Sequence, residues 1–426
     1  MVDSTIAAVD AWEVLDSRGN PTVAAGVHLG DGSYGQATVP SGASTGRHEV
    51  HELRDGGDRY GGKGVLQAVT NVRTELADAV RGLDGANQRA VDRTLRETDG
   101  TADLSRLGAN AVLAVSVATA IAASTAHSVP LYEWVGGDSS LPLPMVNILS
   151  GGAHAGRCLD IQDVLVIALE APTFAVAIEQ IAAVRRAAVA LATEQGLPAG
   201  LVADEGGLGL PLGSNERALD FVVSAIERAG FAPGSEVALA LDVAASQFCR
   251  DGGYHLDTEG RSFDRAGWLD EIEKWVRNHP VVSIEDAVDE DDWESWAELT
   301  RRLGERVQLL GDDFFVTNAE RLDRGIRERS ANAILVKPNQ SGTLTGAADV
   351  VRSAHDAGFG TVVSARSGET EDSWIADLAV GWGAGQLKVG STTRSERTAK
   401  WNRVLALEHS TGMRYHGRRA LAKGMR

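Results

Sequence analysis

The sequence predicts an α/β protein in which a C-terminal (β/α)8 TIM-type barrel follows a smaller α+β domain. Three observations predict it. After about position 235, short apolar runs ending in polar residues begin roughly 25 to 45 residues apart, as βα units should. The runs are nearly continuous in apolar residues, as strands covered on both faces of a parallel sheet must be. Residues 1–135 have a different texture, with turn-punctuated strands first and helices after.

The elements follow in order. Residues Ile6 to Gly35 read as short strands, with turns at SRGNP and LGDGS. VPSGASTGRHEVHELRDGG is a small-residue loop too long for a simple turn. From Gly62 to Thr125 apolar residues fall at helical spacing, as in VLQAVTNVRTELADAV. The most apolar stretch, ANAVLAVSVATAIAAS from Ala109, carries Asn, Ser and Thr and is shorter than the about 20 apolar residues of a membrane span. A buried helix is expected there, and no membrane partner. VGGDSSLPLPMVN, from Val135, has the Gly, Ser and Pro content of a boundary, giving domains 1–135 and 136–426. The later runs are VALALDVAAS, VVSIEDAVD, VQLLGDDF, AILVKPNQ, TVVSARSGE and GQLKVGS. Six of them, with more sheet expected upstream, favour a closed barrel over an open sheet. No G-x-G-x-x-G follows a first strand, which weakens a dinucleotide-binding alternative.

Composition narrows the function. With 43% hydrophobic and 23% charged residues, the chain can build a proper core. A formal net charge of −18 argues against nucleic acid as a partner, though not against a local pocket for a small anion. Two cysteines, Cys158 and Cys249, show no disulfide framework or metal spacing. The N-terminus has no basic start followed by an apolar run. A cytoplasmic protein with reduced thiols is expected.

Each late run ends in a residue suited to chemistry: Asp242, Glu285, Asp312, Lys337, Arg366 with Ser367, and Lys388. Barrel active sites lie at the C-terminal ends of the strands. A single carboxylate there could merely cap the next helix. Three in one mouth repel unless a cation sits among them. Oxygen ligands without His or Cys select Mg²⁺, with Mn²⁺ as the alternative. A buried strand-end lysine is either the counter-ion of an acid or a base with a lowered pKa. Two lysines beside an anion cradle favour a base plus a carboxylate binder, hence removal of a proton next to a carboxylate. VADEGGLGL offers Asp204 and Glu205 at another expected strand end. SGGAHAGRC places His154 in a loop, where a histidine is more often a solvated surface residue. SGASTG offers Ser41, Ser44 and Thr45 in a loop suited to a lid, although such a loop is more often a linker.

Together these motifs resemble the enolase family. The match runs from end to end: DSRGNPTV, VPSGASTG, GGxHAG, DEGG, DVAAS, SIED, GDD, KxNQ, RSGETED and RSER, in the family's order. The resemblance implies a barrel of modified (β/α)8 type and a homodimer or homo-octamer. It implies two Mg²⁺ sites, one held by Asp242, Glu285 and Asp312, the other helped by Ser44. It implies Lys337 as base, Lys388 as binder of the substrate carboxylate and Glu205 as general acid. His154 would line the closed pocket, and Arg366 and Ser367 would grip a phosphate. Gln162 and position 365 are expected to line the substrate site.

The chain also departs from the family pattern. It has Asp163 where the family has a Glu partner for the general acid, and Ala365 where the family has His. Ser150, Gln247 and Ala287 stand where Asn, Glu and Pro are usual. Three readings follow. One is an ordinary enolase acting on 2-phosphoglycerate. Another is a specialised paralogue eliminating water from a phosphonate or phosphinate analogue, of the carboxyphosphonoenolpyruvate synthase type found in phosphinothricin-type natural product biosynthesis. The third, an enolase-fold binding protein, would need loss of the base or the metal ligands, and these are present.

Overall fold

The computed structural model describes residues 2–43, 46–136 and 140–422. It opens with an antiparallel meander: β1 (Ile6–Leu15), β2 (Pro21–Leu29) and β3 (Tyr34–Thr38). Gly19 and Gly32 turn the chain at the two expected places with φ of 74° and 89°, values that L side chains rarely adopt. The helix Ala109–Ala126 lies across this sheet and is 83% buried, so the apolar stretch is a core helix. Gly35 lets it approach. A Cβ there would stand 2.2 Å from the Ala122 nitrogen and 2.3 Å from the Ala118 oxygen.

The barrel comprises β4 (Leu143–Ser150), β5 (Asp163–Ala168) and β6 (Val237–Asp242), then five more strands. Between them lies a small three-stranded sheet, β7 (Cys249–Arg250), β8 (Gly253–Leu256) and β9 (Arg261–Phe263). The remaining strands are β10 (Val281–Glu285), β11 (Gln308–Gly311), β12 (Ala333–Val336), β13 (Gly360–Ser364) and β14 (Gln386–Gly390). The wall closes in the order β4-β5-β6-β10-β11-β12-β13-β14. All six expected runs are strands of it, and β4 and β5 supply the sheet expected upstream. Leu143, Met145, Leu165, Ile167, Ala240, Leu335 and Val362 fill its interior, so it is a packed core rather than a pore.

One strand runs against the rest. β5 pairs antiparallel with both β4 and β6, placing Asp163 opposite Asp242 and Ser150. The barrel is modified in this sense. Asp163 therefore reaches the C-terminal rim from the start of its strand, whereas Asp242 and Glu285 reach it from the ends of theirs.

One expectation needs correction, and one sheet was not foreseen. VADEGGLGL is not a strand. Val202 and Leu208 make only isolated bridges, and Asp204 to Gly207 form a loop with Gly206 at φ 87°. The sheet β7-β8-β9 was hidden in polar residues that carry little strand signal. The N-terminal domain meets the barrel at its rim, where Ser41 and Gly368 exchange backbone hydrogen bonds of 2.8 and 2.9 Å.

Candidate active site

Parallel register brings the strand ends to one rim. Glu285 pairs with Asp242 across β10 and β6, and with Leu310 across β10 and β11. Asp312 follows two residues after Leu310. Asp286, with φ 43°, accepts hydrogen bonds from the Asp312 and Asp313 amides at 2.9 and 2.8 Å and so fixes this corner. Asp286, Asp312 and Asp313 bring carboxylate oxygens within 4.8 Å of one another.

Two lysines face the acids. Lys388 Nζ donates to Asp242 at 2.6 Å and to Glu285 at 2.7 Å. Lys337 Nζ donates to Asp312, whose other oxygen accepts from Gln340 at 3.0 Å. The expected lowering of the Lys337 pKa is not found in this state. Burial, the largest single influence, pushes it down, but the carboxylates of Asp312 and Glu285 together hold it above the ordinary value. Lys388 is likewise held well above, against burial, by Asp242 and Glu285.

The opposite wall carries His154, Asp163 and Glu205. His154 is 8% exposed, so it is not a surface histidine. Its Nδ1 lies 3.9 Å from both Asp163 Oδ2 and Glu205 Oε1. Asp163 Oδ1 accepts from Asn147 and, at 2.8 Å, from Ser150, while Oδ2 is buried and unpartnered. Burial and the Glu205 charge push the Asp163 carboxyl well up. Burial also opposes the charge on Glu205, but Arg397, His154 and the lysines overcome it and bring its pKa down. The proton of this acid pair therefore rests on Asp163. Gln247 donates to Gln162 at 2.7 Å, and Gln162 donates to Asp242 at 2.9 Å. Because Asp242 can only accept, Gln162 presents its carbonyl to Gln247, and an amide there supplies the needed donor.

The third side is the anion cradle. Ala365, Arg366 and Ser367 follow β13 and are nearly fully buried. Arg366 pairs with Glu49 through both terminal nitrogens, at 3.0 and 3.2 Å. The mouth lined by His154, Glu205, Lys337, Ala365, Arg366 and Lys388 leaves about 20 Å³, room for about one water. A cavity of about 510 Å³, lined by Gly42, Glu49, Glu52 and Asn339, opens on the other face of Arg366. Ser44 and Thr45, the expected lid residues, lie outside the described residues.

The acids suit a hard divalent cation. Asp242, Glu285 and Asp312 offer only oxygens, and Glu285 Oε1 is buried with no hydrogen-bond partner. Burial and the neighbouring Asp242 push the Glu285 carboxyl well up, a cost of crowded buried acids that a bound cation would offset.

The comparisons decide the family. Residues 6–135 match the family model described as Enolase, N-terminal domain, and residues 138–423 match Enolase, C-terminal TIM barrel domain. The chain belongs to the enolase family. As an enolase-type lyase it carries the family's Mg²⁺ dependence, and its acidic clusters are compatible with that metal. Sequence reasoning missed several residues that shape this enolase-type site: Asn147, Gln340, Glu49, Asp286 and Arg397. Asn147 left a trace as the one polar residue in the apolar run LPMVNIL. Gln340 and Asp286 sit inside the KPNQ and SIED motifs. Arg397 closes the RSER motif, whereas Glu49 lies far from the strand ends in sequence and left none.

Proposed function

We propose that this enolase-family protein eliminates water from a 2-phosphoglycerate-like acid whose phosphorus group is larger than phosphate, a phosphonate or phosphinate analogue of the carboxyphosphonoenolpyruvate synthase type. The observation that carries this reading is Ala365. It lines the mouth beside Arg366 and Ser367, where a histidine would fill the space. A second observation supports it. Ser150 and Asp163, two departures from the family pattern, are hydrogen-bonded to each other. They act as one altered unit on the wall that handles the leaving hydroxyl.

In this mechanism Lys337, once neutral, takes the proton from C2. Lys388 binds the substrate carboxylate, and Arg366 and Ser367 hold the phosphorus group. The C3–O bond then breaks, C2 and C3 become doubly bonded, and hydroxide leaves as water with a proton from the Asp163–Glu205 pair. His154 Nδ1, neutral because burial opposes its charge, orients that hydroxyl. Mg²⁺ held by Asp242, Glu285 and Asp312 would supply positive charge against the enediolate.

The second reading, turnover of 2-phosphoglycerate itself, is favoured by the complete set of base, carboxylate binder and metal ligands. Ultraviolet absorbance of the enol product, followed with Mg²⁺ and each substrate in turn, separates the two. The expected result is weak turnover of 2-phosphoglycerate and faster turnover of the analogue with a carboxylated phosphorus group. Turnover of 2-phosphoglycerate at a rate ordinary for an enolase would overturn the proposal.

A further inference from the structure

We infer that Arg397 is a positioning residue that clamps the anion cradle, the loop carrying Glu205 and the strand end after Lys388 into one rigid unit. Arg397 lies in the first turn of the helix Ser395–Thr411 and is completely buried. It does not touch the mouth. Its guanidinium instead reads backbone carbonyls. One terminal nitrogen donates to Arg366 O at 2.6 Å and Val389 O at 3.0 Å. The other donates to Ser367 O and lies 3.5 Å from Asp204 O. Its Nε is 3.5 Å from Glu396.

The groups it gathers come from three separate chain segments, each next to a residue of the proposed reaction. A second observation shows how tightly they are joined. Gly390, on the third of them at φ 119°, is squeezed between the Glu205 loop and the clamp itself: a Cβ there would stand 2.6 Å from Glu205 O and 3.0 Å from Arg397 Cδ. The next amide, Ser391 N, donates to Glu205 O at 2.8 Å. Lys400, one turn along the same helix, repeats the device by pairing with Glu369 at 2.9 Å and donating to Thr370 O. A planar fork with five donors holds carbonyls on several segments in one fixed geometry, whereas a lysine offers three donors on a flexible stem. The functional meaning rests on the proposed function, because it is there that Arg366 grips phosphorus and Glu205 serves the leaving hydroxyl. The clamp would then fix the distance between those two ends of the substrate.

The test uses the full-length protein and its Arg397→Lys variant. Amide hydrogen exchange should rise in residues 203–206 and 365–368 together, with the distant meander β1-β2-β3 unchanged. Binding of inorganic phosphate, measured calorimetrically, should weaken about tenfold or more, as the loss of a hydrogen bond to a charged group commonly costs. Faster exchange in only one of the two segments, or unchanged exchange in both, would overturn the clamp. If the lysine variant does not fold, the unaltered protein decides. Phosphate should then protect residues 203–206 along with 365–368, and protection confined to 365–368 overturns the clamp. Failure of the unaltered protein to bind phosphate counts against the phosphorus site of the proposed function, and the exchange comparison between variant and parent still judges the clamp.

Discussion

Lys337 and Asp163 show how much a single residue's meaning depends on its neighbours. Lys337 sits against Asp312 and keeps its proton in this state. The base role still makes a clear prediction: Lys337→Ala should abolish exchange of the substrate's C2 proton with solvent, followed by deuterium incorporation. Exchange that persists would remove Lys337 from that role. Ala365 lines the mouth, and Asp163 stands behind the wall that carries His154 and Glu205. Ala365→His combined with Asp163→Glu should raise kcat/KM for 2-phosphoglycerate at least about tenfold, a general acid being worth two to four orders of magnitude when fully restored. No gain would show that substrate choice lies elsewhere. The sequence located the strand-end residues because the parallel strands β6, β10 and β12 announce their ends as apolar runs stopping at a charge. It could not show that Asp163 Oδ1 accepts from Asn147 and Ser150, because those contacts cross strands.

At the scale of elements, a tight joint lies between β3 and the helix Ala109–Ala126. Gly35 leaves no room for a methyl group, and the obstructing atoms are backbone. Gly35→Ala should destabilise the protein by about 1–3 kcal/mol in urea unfolding, the usual cost of overpacking, while the barrel site keeps its metal affinity. A change within about 0.5 kcal/mol, typical of surface substitutions, would mean that helix and sheet can part freely. The helix itself was legible from its apolar residues. The DEGG loop was misread as a strand end because Val202 and Leu208 flank it like a strand, although they only bridge.

The whole molecule carries an excess of acid, and part of that excess is buried at the rim. Glu285, Asp163 and Asp286 all have carboxyls pushed well above the ordinary range, with burial the first cause. A raised carboxyl pKa means that the folded state binds more protons than the unfolded chain above the unfolded pKa. Stability should therefore fall as pH rises through that window. The metal-free protein should melt at a lower temperature at about pH 8 than at about pH 5.5, and saturating Mg²⁺ should narrow the difference. Equal melting temperatures without metal would contradict the buried-acid account. The reversed strand β5 has one more consequence. It makes residues 151–162 a hairpin loop standing on the rim, with both feet in the barrel wall and His154, near its first foot, turned into the mouth. A barrel with every strand parallel would have to route its chain back along the outside at this point. Substrate range can therefore change through the part of this loop between its feet, while Gln162 keeps its bond to Asp242 and Ile161 its bond to Asn215 at the start of a helix.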